Sequence, residues 1–550
     1  MKFTPRNTAT MAIVAVVILL FVALHLHQEL KVAGAPGFPL DDAWIHSHFA
    51  RNLARGYGMS YNPGIPVSGS TAPLWTLMLA AAYLVVPNVI ISAKVMSLVL
   101  YALVCLLVFK ILIRLLDDVH FAFLGALLTA MTSRLMWGAL SGMEVMLSVF
   151  LTTGGIYLHL LYRAETGPKQ YARTGVFALA SLARPESLLL IFLALIDDFL
   201  ISRVDRKEKL PSFAVRAATH LFFFFLLLSP YFVFNYLSVG SLFPSTYLAK
   251  RGGGLLPALA HLNLQELHKS VFSYPALYVS NLLEVSRSHN VFLYWLMFVG
   301  MAMVLARSFR KGATNEALLI PLTFILYPVL VGALAPSRMG LRWMFRYMSN
   351  LTPLYVVMAV VGLQGCVSFI RTILKEFWVK EKMATSLTRG ILAVVVAMLL
   401  VSLSIEEYEN SKFYALGVQN INEMQVRIGR WARENTPPDT LLAVNDIGAI
   451  AYFSERKVLD LGGLVTPEIL SYRDKENGVF EFVARNKPDY VIFFPNWFPD
   501  FPAHDELIPV FSISLELNAV CGGPTMAVYK TVWAEERETQ RRASAKSPKN

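Results

Sequence analysis

Apolar runs close to bilayer-spanning length recur from the N-terminus of this 550-residue chain to about residue 404. A helix needs about 20 such residues to cross the hydrocarbon core, because each residue rises only ~1.5 Å. In lipid every backbone N–H and C=O must be paired within its own segment, so runs of this kind fold as helices. The composition agrees: 55% of residues are hydrophobic and 16% charged, against about 25% charged in a soluble domain. The expected fold class is mostly α, a polytopic helical membrane domain. A formal charge of +11 does not argue for nucleic acid. Lys and Arg gather in short loops between apolar runs, as the positive-inside bias requires.

The same bias orders the spans. Lys2 and Arg6 place the N-terminus in the cytoplasm, and Thr10–Leu24 reads as an uncleaved first span rather than a signal peptide. Asp41 and Asp42 then emerge outside. Leu74–Val86 is short and bracketed by Pro73 and Pro87, which predicts an interfacial or re-entrant helix in a large first outer loop. Crossing by Ile91–Leu116 instead keeps Lys110 and Arg114 inside. Continuing by charge predicts about eleven spans: Phe121–Trp137, Val145–Tyr162, a short pair 174–183 and 187–201 turning at "ARPES", then 214–236, 291–306, 317–334, 351–370 and 390–404 complete the set. The expected domains are a membrane domain over 1–410, a small extracytoplasmic α/β domain over 411–532, and a disordered tail over 533–550. Within the second, "TLLAVNDIGAIAYF" predicts strand, turn and helix, "KVLDLGG" and "DYVIFF" further strands, with helices over 423–434 and 480–486. The three cysteines have neither disulfide nor zinc spacing.

Four groups of polar residues gather on the predicted outer face. Asp41 and Asp42 precede "AWIHSHFARNLARG", a short amphipathic helix expected to lie along the membrane surface with Trp44 and Phe49 as anchors. The pair suits either chemistry or a helix N-terminus. His46, one turn beyond Asp42, is within reach of it. Glu144 in "WGALSGMEVM" stands at a span end in apolar surroundings, either functional or closing a capping box with Ser141. Arg338, Arg342 and Arg346 recur every four residues on one helix face, on the side the charge bias disfavours. That placement suits an anionic ligand such as a lipid phosphate. Tyr247 and Lys250 add polar groups in a long outer loop, and Arg184 with Glu186 reads as an ion pair between neighbouring helices.

The stretch "DDAWIHSHFARNLARGYGMSYNPGIPVSGSTAPLW" resembles the first outer-loop signature of integral-membrane glycosyltransferases of the C-type fold. It is nearest to bacterial members similar to the mycobacterial arabinofuranosyltransferase that adds terminal sugars to arabinan. "SGMEVML", "ARPES", "SLFPSTYLAK", "RYMSNLTPL" and "AVNDIGAIAYFSERKVLDLGGLV" are similar to further segments of that group, with Val145 and Ser187 departing from its usual Thr and Gly. The resemblance implies a multi-pass protein of the cytoplasmic membrane that moves a sugar from a polyprenyl-phosphate donor to a glycan, lipid or protein acceptor on the outer face. An outer-loop Asp serves as base there, so Asp41 or Asp42 carries that role here, with Asp41 favoured. Arg338, Arg342, Arg346 and Lys250 are expected to hold the donor phosphate, and Glu144, Tyr247 and His46 to contact substrate. A single base opposite the leaving group predicts inversion. A magnesium or manganese ion on Asp42 and Glu144 is a further expectation, one the arginines make unnecessary. A lipid or solute transporter is the rival class. It calls for charges at mid-membrane and symmetric halves, which this sequence lacks.

Overall fold

The computed structural model describes residues 5–163, 165, 167–203, 208–250, 253–308, 318–336, 344–377 and 380–537. Among these, seven helices are long and apolar enough to cross a membrane, or eight if the bent pair Val119–Ala130 and Ser133–Leu140 forms one span. The chain is a multi-pass membrane protein. The bent pair turns by 54° where Thr132 leaves helical geometry and returns its hydroxyl to the Leu128 carbonyl. All eleven predicted stretches fall on helices, apart from the break at Met131 and Thr132, Leu318 in a turn, and Ala317, which is outside the described residues. Three of them are short: Tyr171–Ala183 and Leu189–Ile201 have 13 residues each and Leu319–Leu334 has 16. Thirteen residues reach only about 20 Å, so the first two form a hairpin around the one-turn helix Pro185–Leu188. Pro73–Val85 is likewise a 13-residue apolar helix, its Leu84 and Val85 exposed.

Two sets of buried charges within the bundle are paired. Lys94 Nζ donates to both Glu29 oxygens at 2.7 and 2.8 Å, and the Gly37 amide adds a third bond at 2.9 Å. At the other end, His159 and Arg163 meet Asp197, and Arg173 and Arg216 meet Asp198, so four helices share one network. Removing one member of such a pair strands the other. We expect Lys94→Met to cost about 3 kcal/mol, seen as a lower unfolding midpoint of the detergent-solubilised protein.

The last span does not stop at the lipid. Glu381–Ile421 is one 41-residue helix, so the composition change at Ser411 falls inside a continuous rod rather than at a linker. Its final turns bury Tyr414, Ala415 and Val418 on the way into the C-terminal domain. There β1 (Leu441–Val444), β2 (Lys457–Asp460) and β3 (Tyr490–Phe493) pair in parallel, at Leu442↔Val458 and Ala443↔Val491. β4 (Leu507–Ser514) and β5 (Thr525–Thr531) extend the sheet antiparallel, in the order β2-β1-β3-β5-β4. The predicted strands and helices of this domain are present. β4 and β5 are additional; β4 is an edge strand that carries Pro509 beside a register shift. Residues 532–537 continue as helix, with Ala534 buried and Arg537 Nη2 2.6 Å from Asp489 Oδ1. The segment expected to be disordered from 533 is therefore ordered to at least 537, and 538–550 lie outside the described residues.

One continuous apolar core joins bundle and sheet. The Asp42–Ala54 helix lies within it, not on a membrane surface. Trp44 and Phe49 are fully buried, and Trp44 packs against Phe38, Tyr452 and Phe453 at ring-centroid distances of 4.8–5.0 Å. The first loop then grips the sheet: Tyr61 donates to the Ile447 carbonyl at 2.8 Å, and Asn62 exchanges two bonds with Val458.

Candidate active site between the first loop and the helix bundle

Local breaks in helices aim the site. Pro185 ends the Tyr171–Ala183 helix and forces Arg184 into an extended conformation, turning its guanidinium inward. Gly142 takes a positive φ of 77° in the turn before Glu144, and a Cβ there would collide with the Phe38 ring. The capping box foreseen at Ser141 and Glu144 is not formed: the Glu144 side chain caps nothing and faces a cavity.

That cavity measures 260 Å³ and gathers Asp42, His46, Glu144, Arg184, Glu186, Tyr247, Lys250, Arg346 and Tyr347. Asp42 Oδ2 accepts from Arg346 Nη2 at 2.8 Å and lies 3.7 Å from Lys250 Nζ. Burial pushes this carboxyl up, but Lys250 and Arg346 outweigh it and hold it well below the ordinary range. Glu144 sits 3.3 Å from Arg184 through one oxygen and 3.3 Å from His46 Nε2 through the other. Burial again opposes ionisation, yet Arg184 and His46 bring its pKa down to about 2. The far nitrogen of His46 meets Ser70 Oγ at 3.2 Å, which fixes the ring.

Tyr347 stands between the two guanidiniums, 4.6 Å from Arg184 and 5.1 Å from Arg346 measured to its ring centroid. Burial raises its hydroxyl pKa, but Arg346, Lys250 and Arg184 together bring it below the ordinary phenol value. Arg184 also donates to the backbone carbonyl of Arg346 at 3.1 Å, which couples the two cations. Leu188, Leu189, Leu256, Val331 and Leu334 line the remainder. The cavity is thus amphipathic, with three cations, three carboxylates and a wall of aliphatic side chains.

Eight of the residues singled out in the sequence converge here: Asp42, His46, Glu144, Arg184, Glu186, Tyr247, Lys250 and Arg346. Arg338 and Arg342 lie outside the described residues. Tyr347 was missed, although its place beside Arg346 in "RYMSN" was the available signal. Arg184 and Glu186 do form a pair, at 3.7 Å, but the shorter contact of Arg184 is to Glu144, which makes it part of the site.

Asp41 is the exception. Its Oδ1 accepts from the Ala449 amide at 2.7 Å and its Oδ2 from the Gly448 amide at 2.6 Å, both at the start of the Gly448–Ser454 helix of the C-terminal domain. Asp41 is absent from the cavity wall, and the preference for it as the base does not fit this geometry. The residue precedes Asp42 in helical backbone conformation, so the two side chains diverge by about 100°. One enters the cavity and the other enters the domain interface.

The magnesium or manganese ion expected on Asp42 and Glu144 does not fit either. Asp42 is already faced by a guanidinium and an ammonium, and Glu144 by a guanidinium and an imidazole. Among the described residues no group of three or more His, Cys, Asp or Glu side chains is placed to hold a metal.

Comparison with known proteins adds the fold. Residues 419–529 match the model of a domain of unknown function, DUF8728. No curated protein matches the chain. A crystal structure of ArnT from Cupriavidus metallidurans in the apo state superposes with a TM-score of 0.55 at 11% identity, covering 94% of this chain and 98% of that one. ArnT from the same organism bound to undecaprenyl phosphate gives 0.54 at 11% identity, over 93% and 97%. At such identity the shared property is the fold, which extends over nearly the whole of both chains.

Proposed function

We propose that this protein is a membrane glycosyltransferase that moves a sugar from a polyprenyl-phosphate donor to an acceptor hydroxyl, with inversion, on the extracytoplasmic face. The amphipathic cavity carries the reading: cations for a phosphate, aliphatic side chains for an isoprenoid, and a carboxylate within reach of both. The undecaprenyl phosphate bound by ArnT, a protein of the same fold, supports that class of donor. Facing supports the outer side. The helix that Glu144 precedes ends at Arg163, beside Lys169 and Arg173, so the cavity lies at the end remote from that basic cluster.

Asp42 is the base. The acceptor oxygen attacks the anomeric carbon while its proton passes to the Asp42 carboxylate. The bond from that carbon to the phosphate oxygen breaks, and its electron pair leaves with the phosphate. Arg346, Arg184 and Lys250 match the charge that develops there. Glu144 holds Arg184 and His46 in place.

Two of these cations rest on Asp42 before any donor arrives. A donor phosphate competes for them, so the free carboxylate is a weak base and becomes a stronger one when the donor is bound. The acid limb of kcat, which reports the donor complex, is therefore expected at higher pH than that of kcat/KM, which reports the free enzyme. Coincident limbs would count against it. The direct test of the whole reading uses the full chain in nanodiscs. Saturable binding of undecaprenyl phosphate, and transfer from undecaprenyl-phosphate sugars to cell-envelope glycans, are expected. Absence of lipid-phosphate binding would overturn it.

A further inference from the structure

The residue beside the base is bound to a different domain from the one that supplies the cavity's charged residues. The Asp41 carboxylate takes both of its backbone bonds from Gly448 and Ala449, while its own carbonyl receives the Trp44 amide at 2.9 Å and so starts the helix that carries Asp42. The fit is close: a Cβ on Gly448 would collide with the Asp41 carbonyl. Asp446 packs against Asp41 through a carboxyl–carboxyl hydrogen bond, and Gln425 Nε2 fixes the Asp446 side chain at 2.7 Å.

We propose that the C-terminal domain holds Asp42 in place within the cavity through this contact, which makes Asp41 and Asp446 positioning residues of the transfer site. The proposal rests on the reading of Asp42 as the base. One peptide bond separates Asp41 from Asp42, so a turn of the first moves the second by the ångström or so that governs proton transfer. The domain is then required for turnover as well as being available for acceptor contacts.

Two carboxylates in hydrogen-bond contact share a proton. Burial first, and the neighbouring Asp446 second, raise the Asp41 carboxyl well above its ordinary range. The proton is thus bound more tightly when the domain is docked, and docking weakens as pH rises through the raised value. The groups facing the pair do not substitute for that proton. Tyr61 and Cys521 are held protonated by burial, Asp460 accepts the Gly462 and Val465 amides, and Asp42 is ion-paired.

Hydrogen–deuterium exchange on the full chain in nanodiscs tests this without reference to any sugar. In Asp41→Ala, peptides covering 445–454 and 42–47 are expected to exchange about tenfold faster, in keeping with loss of two buried backbone hydrogen bonds, while Val89–Leu116 is unchanged. In the wild type the same two peptides loosen together as pH rises through the raised Asp41 value, after correction for intrinsic rates. Asp446→Asn, which donates a permanent N–H to Asp41, removes that pH-dependent loosening. In transfer assays Asp41→Ala lowers kcat and leaves the affinity for undecaprenyl phosphate within about twofold, since no phosphate-holding cation is touched. Loosening of 445–454 with 42–47 unchanged would overturn the positioning role, and no loosening of either would overturn the docking contact. If the lipid phosphate fails to bind while the two peptides still loosen together, the functional reading has failed and the coupling stands.

Discussion

Replacing Asp42 by Asn is expected to lower transfer about 10³-fold, the loss that follows removal of a positioned general base, without weakening the hold on the donor. Asparagine keeps the shape and still accepts the Arg346 bond, but it takes no proton. It also carries no charge, so Arg346 and Lys250, which rest on Asp42 at 2.8 and 3.7 Å, are released to the phosphate. Affinity for undecaprenyl phosphate should therefore hold or rise while turnover collapses. This opposite movement separates loss of the base from general damage, and it separates Asp42 from Asp41, whose substitution frees no cation. Titration of the lipid phosphate into nanodiscs, run beside single-turnover transfer, measures both. Near-normal turnover in Asp42→Asn would remove it from the base role.

Arg346→Ala is expected to show the reverse pattern. It removes the guanidinium that bridges Asp42 and Tyr347, and donor affinity should fall about 100-fold, close to 3 kcal/mol for a desolvated charge-assisted contact. The fold around it should survive. Arg184 bonds to the backbone carbonyl of Arg346, which the substitution keeps, and Glu144 retains its pairing with Arg184. Arg346→Lys should fall between, because a lysine restores the charge but not the planar fork. An unchanged unfolding midpoint with the stated loss of affinity would establish the role. Unchanged affinity would place the phosphate elsewhere.

Part of the site could be found from residue type and spacing. Glu144 and Arg346 were visible because ionisable groups are costly at span ends, and "ARPES" because a proline at membrane depth needs a reason. Tyr347 offered only its place beside Arg346, a weak signal because a tyrosine beside a span end is ordinary interfacial composition. Trp44 and Phe49 misled for the same reason: an aromatic that anchors to lipid and one buried beneath a neighbouring domain look alike in one dimension. β4 and β5 escaped because their pairing partners are a bulged edge and a strand ten or more residues away, which no local pattern encodes.

Apolar run length, with the requirement that backbone groups pair in lipid, was enough by itself to determine a many-helix membrane protein with a small α/β domain after its last span. The same constraints marked the few polar residues that lipid makes expensive. Only the tertiary structure decided what each of those residues does. Asp41 and Asp42 are identical in chemistry and adjacent in the chain, yet they point about 100° apart. The amides of Gly448 and Ala449, some four hundred residues away, bind the first and leave the second to face the cations of the cavity.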